Sequence, residues 1–131
     1  MTKKSRRIGA DFELEVRAVL EKEGYIVDKW HNQVNLTTGK IEIAKNLFGF
    51  GRALMLGSGF PDFIAFKPIE NVVIGVEAKL NRKLKPIEKE KMALYKKNKV
   101  FDSLWVAYRG ENNDVLFSEV IDETYKRPTG V

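Results

Sequence analysis

Pro61-Asp62 and Glu77-Ala78-Lys79 place two carboxylates and an ammonium at the ends of two apolar runs, with fourteen residues between the acids. Side chains of a strand alternate between its faces, so Glu77 and Lys79 point the same way, as Asp62, Ile64 and Phe66 do. If Phe60 to Lys67 pairs with Asn71 to Leu80 as a hairpin across the turn Pro68-Ile69-Glu70, Asp62 falls beside Glu77. Phe63, Ile64, Ala65 and Phe66 on one strand and Val72, Val73, Ile74 and Val76 on the other leave little room for water. Carboxylates in such surroundings need a cation. Magnesium, with manganese as a substitute, suits one or two carboxylates completed by water and a substrate phosphate, and a chain with no cysteine and one histidine offers nothing for zinc. The chemistry such a set performs is metal-assisted phosphodiester hydrolysis. An E-x-K tripeptide alone equally describes an ion pair on an edge strand, with Asp62 a turn residue after proline. Two strands that read as buried on both sides favour a site.

The elements that hold these groups follow from periodicity and stop signals. A first helix is expected from about Arg6 to Glu23, ended by Gly24, with Ile8, Phe12, Val16 and Val19 or Leu20 as its core-facing stripe. Glu13 lies on a line with Gly9, Val16 and Leu20, at the edge of that stripe. Tyr25 to Lys29 reads as a short strand. Lys85-Pro86 opens a second helix reaching about Asn98, with Ile87, Leu94 and Tyr95 as its apolar face. Ser103 to Tyr108 is a strand, and 109–114 a turn into Val115 to Val120. At 131 residues and 44% hydrophobic content the chain suits a single domain over 1–131, with an insertion at about 30–59 and short tails.

Within that insertion, Thr37-Thr38-Gly39 reads as a turn between short extended pieces, and Phe48-Gly49-Phe50-Gly51-Arg52 joins aromatics to a base, a combination suited to stacking on unpaired bases. Gly49, Gly51, Gly57 and Gly59 do not have the spacing of a phosphate-binding P-loop, which excludes an ATPase. His31 lacks partners at metal-ligand spacing and is expected at the surface.

The same residues resemble a known family. Pro61-Asp62 with Glu77-Ala78-Lys79 resembles the signature of the PD-(D/E)XK nucleases, and Gly9-Ala10-Asp11-Phe12-Glu13 is similar in spacing to the first helix of archaeal Holliday-junction resolvases and virus-type replication-repair nucleases. The resemblance covers roughly Arg6 to Phe117 and implies a restriction-endonuclease-like α/β fold, a central mixed sheet flanked by helices in the order helix, strand, strand, strand, helix, strand. It implies that Asp62, Glu77, the Ala78 carbonyl and Glu13 hold one or two magnesium ions, that Lys79 orients or activates the attacking water, and that Asp62, Glu77, Lys79 and Glu13 form the catalytic set. Ser58, in Gly57-Ser58-Gly59, resembles a DNA-contacting serine of the resolvases. Leu84-Lys85-Pro86-Ile87-Glu88 resembles the downstream helix start of the virus-type nucleases, but carries Lys85 where they have threonine and Glu88 where they have glutamine.

Charge points the same way. Lys79 to Lys99 holds nine basic residues against Glu88 and Glu90, whereas residues 100–131 hold six acids and three bases. With Lys4, Arg6 and Arg7 near the other end and a net charge of +5, the expected partner is a polyanion, DNA and possibly branched DNA, contacted by Arg52, Arg82, Lys83, Lys85 and the basic N-terminal turn. Symmetrical cutting of two strands by one motif per chain calls for a homodimer. Absence of cysteine, of a membrane-spanning run and of a signal-like apolar stretch after Thr2-Lys3-Lys4 points to the cytoplasm.

Overall fold

The structure, a computed structural model, describes residues 2–43 and 59–121. Helix α1 spans Lys3–Lys22 and begins three residues earlier than expected, because the Thr2 hydroxyl accepts the Ser5 N–H at 3.1 Å and caps it. It stops where Gly24 takes φ 97°, a left-handed conformation that costs glycine least. Phe12, Val16 and Leu20 are buried, one turn apart, but Ile8 is 46% exposed and does not extend the stripe. The first turns of α1 run past the packed part of the sheet.

Among the described residues seven strands follow in chain order: β1 Ile26–Lys29, β2 Gln33–Asn35, β3 Lys40–Glu42, β4 Phe63–Lys67, β5 Val72–Ala78, β6 Ser103–Arg109 and β7 Val115–Glu119, with helix α2 at Pro86–Lys97 between β5 and β6. The five-stranded sheet has the order β1-β4-β5-β6-β7, antiparallel throughout except between β5 and β6. That one parallel pair needs a crossover, and α2 supplies it. Strands β2 and β3 form a separate hairpin inside the insertion. Its turn is the expected one: Asn35 Oδ1 accepts from Thr37 N and Thr38 N, and Gly39 has φ 73°.

Each face of the sheet has its own apolar layer. Phe12, Val16 and Leu20 of α1 pack on Val27, Phe63, Ala65, Ile74, Val76 and Ala107. Met92 and Tyr95 of α2 pack with Val34, Phe60, Phe101, Leu104, Val106 and Val120 on the other face. Ile87, expected on the apolar face of α2, is 50% exposed; Met92 takes its place. The pleat carries both layers, since Phe63 and Ala65 face α1 while Ile64 faces α2.

Tyr95 ties the insertion to the sheet. Its hydroxyl accepts the Trp30 indole N–H at 3.0 Å and donates to the Phe60 carbonyl. Phe60 N donates to Asn32 O and Trp30 N to Asp62 O, so the excursion leaves and returns at one stem beside Asp62. Gly59 sits where any Cβ would collide with the Trp30 carbonyl. His31 is half-buried in this stem, not the surface residue expected.

Candidate active site

The β4–β5 register pairs Phe63 with Val76, and its continuation sets Asp62 opposite Glu77 and Pro61 opposite Ala78. The expected juxtaposition is therefore present, with Asp62 just before β4 and Lys79 just after β5. Asp62 N donates to Glu77 Oε1 at 3.0 Å, and Ala78 N donates to Asp62 Oδ2 at 2.8 Å. Pro61 has no N–H to give across the ladder, so it cannot tie up the carbonyl of Ala78.

By the alternation along β5, Val76 and Ala78 face α1, and Glu77 faces the α2 side. Glu77 is the one buried charged residue among those described, at 6% exposure. Burial and the neighbouring Asp62 carboxylate push it up to about 9, and burial also raises Asp62 against the pull of the Ala78 N–H. Lys79 Nζ lies 3.8 Å from Glu77 Oε2 and 2.7 Å from Glu88 Oε2. Burial works to lower Lys79, but the Glu88 hydrogen bond and the surrounding carboxylates prevail and raise it, so the amine stays an ammonium.

Glu13 comes to the site from the other layer. Its Oε1 is 3.1 Å from Lys29 Nζ, and Lys29 also lies 5.5 Å from the Phe63 ring. Both charges are felt at Asp62, Glu13 raising and Lys29 lowering its pKa. Among the described residues no three carboxylate or imidazole groups converge on one point. The reason is visible: Asp62 and Glu77 are each turned to a backbone N–H, and Glu13 is held by Lys29 on the α1 side.

The donor set nevertheless suits a hard divalent ion. Two adjacent carboxylates, Glu77 buried and Asp62 half-buried, that repel one another's charge beside a carbonyl opposite a proline are what a cation with a preference for oxygen would stabilise.

Of the expected DNA-contacting residues, Arg82, Lys83 and Lys85 are exposed on the segment that follows Lys79, and Arg82 stacks 4.8 Å from the Tyr108 ring. Lys4, Arg6 and Arg7 are exposed on α1. Arg109 at the end of β6 packs over Phe12 and pairs with Glu15 at 2.6 and 2.8 Å, which fixes this part of α1 at the end of the sheet that carries the site. From Glu13, Arg6 lies about 10 Å further along the helix axis. Ser58, Arg52 and the Phe48-to-Arg52 stretch lie outside the described residues.

Two residues join the site that spacing did not select for it. Glu88 is the third residue of α2, where a capping-box acid belongs, and that position was the available signal. Lys29 ends β1 and carries no motif; only the pairing of β1 with β4 brings it in. No family model matches the chain, and no curated protein or solved structure was found to match it.

Proposed function

We propose that this chain is a magnesium-dependent deoxyribonuclease of the PD-(D/E)XK kind, with the restriction-endonuclease-like fold, acting on branched DNA in recombination or repair as a homodimer. The observation that carries the reading is the half-buried Asp62 set beside the buried Glu77 at the paired ends of β4 and β5, with Lys79 on the same side, in a sheet whose strands follow α1 as three, then α2, then two more.

Asp62, Glu77 and the Ala78 carbonyl are the groups that would hold the metal, with Glu13 joining once released from Lys29. Magnesium, when bound, supplies Lewis-acid polarisation of the phosphate and a more acidic water. Lys79, kept as an ammonium by Glu88 and Glu77, orients that water and offsets charge on the phosphate oxygens; it does not accept the proton. Arg82, Lys83 and Lys85 grip the flanking phosphates.

A second reading, a DNA-binding module without turnover, is favoured by the lack of three converging ligands among the described residues. Cleavage of a labelled four-way junction beside duplex, flap and single-stranded DNA separates the two, with wild type and Glu77→Ala compared in magnesium. Symmetrical junction cuts lost in the variant are expected. Cleavage of simpler DNA keeps the nuclease and discards the junction, and salt-sensitive binding with no variant-sensitive cleavage leaves the module.

A further inference from the structure

Lys79 is held more closely by α2 than by its own strand. Its ammonium is 2.7 Å from Glu88 Oε2 and 3.8 Å from Glu77 Oε2. The Lys79 and Glu88 side chains are only 21% and 14% exposed, so the pair is largely withdrawn from water. The two oxygens of Glu88 divide their work. Oε1 accepts the Lys85 N–H at 2.8 Å and fixes the side chain to the first turn of α2, and Oε2 faces the ammonium. A helix cap needs only the first of these contacts. Directing a second, desolvated oxygen at Lys79 contributes nothing to the cap.

We propose that Glu88 is the positioning residue for Lys79, holding its ammonium at the Asp62–Glu77 pair while α2 holds Glu88. A lysine is a point charge on a flexible four-carbon stem, and tethered by Glu77 alone at 3.8 Å it would swing. Glu88 thus joins two elements that the 79–85 segment separates, the end of β5 and the start of α2. What Lys79 does for the reaction rests on the nuclease reading; that Glu88 orders it does not.

Glu88→Gln is the discriminating variant, because glutamine serves a capping box as well as glutamate and only the charge facing Lys79 is lost. The expected result is a kcat lower by about 10- to 100-fold, with KM for the junction within about twofold. In a Lys79→Ala background the same substitution adds less than about a twofold loss, since both changes remove one unit. Independently of turnover, nitrogen-15 NMR of the lysine side chains reads the order directly: a sharp, slowly exchanging Lys79 ammonium resonance in wild type, lost in Glu88→Gln. Wild-type kcat in Glu88→Gln, full additivity with Lys79→Ala, or an unaltered Lys79 resonance would each overturn the proposal. If the wild type cleaves no DNA, the nuclease reading falls, and the resonance alone decides whether Glu88 orders Lys79.

Discussion

Glu77 shows what the site costs the fold. A carboxylate with 6% exposure beside a second carboxylate is held up at about 9, far above its ordinary value. A folded pKa raised above the unfolded one gives stability that is full below about 4.5 and declines as pH rises toward 9, because the folded state binds the extra proton. Glu77→Gln escapes that decline. Its unfolding free energy should match wild type near pH 4 and exceed it increasingly toward pH 9, by on the order of 1–3 kcal/mol; a pH-independent difference would contradict the assignment. Magnesium should reverse the ranking. A ligand at a hundred times its dissociation constant adds about 2.7 kcal/mol to the state that binds it, so thermal denaturation with and without magnesium should shift wild type upward and leave Glu77→Ala unmoved.

At the scale of elements, the stem at Tyr95 governs how firmly Asp62 is held. The Tyr95 hydroxyl serves Trp30 and Phe60, and Trp30 N bonds the Asp62 carbonyl directly. Tyr95→Phe leaves the Trp30 indole N–H without its acceptor, which should cost about 1–3 kcal/mol in urea unfolding at pH 7. Burial raises the Tyr95 phenol to about 12. Its contribution is therefore full below about 10 and lost as pH climbs toward 12, so the gap between wild type and Tyr95→Phe should narrow over that range. Gly59→Ala tests the same stem without touching a hydrogen-bonding side chain. The added methyl meets the Trp30 carbonyl, and a loss of about 3 kcal/mol or more is expected from the same unfolding measurement. The ends of the helices also belong here. Thr2 lengthened α1 through one hydroxyl bond, and on α2 Met92 is buried with Tyr95 while Ile87 is half exposed.

For the whole molecule, a net charge of +5 favours a polyanionic partner. The exposed Arg82, Lys83 and Lys85 follow the site directly, and the basic first turn of α1 precedes the part of the helix that the Arg109–Glu15 pair ties to the sheet. Neutralising Arg82, Lys83 and Lys85 together should make the dependence of log binding constant on log salt shallower by about 2–3, as anisotropy titrations over a salt series would read. An unchanged slope would remove these three from the DNA path. No helix among the described residues is long and apolar enough to cross a membrane.

The order of elements was legible from the chain alone, because glycine and proline stops and apolar periodicity are local properties: Gly24 ends α1, Pro86 opens α2, and the β4–β5 hairpin sets Asp62 against Glu77 through pairing counted from one short turn. Glu88 and Lys29 were not legible as site residues. Both reach it through contacts between elements distant in sequence or through a crossover, where no spacing rule applies. Local pattern placed the acids that share a hairpin. Only packing of two layers on opposite faces of one sheet decided that Glu13 answers to Lys29 on one side while Glu88 holds Lys79 on the other.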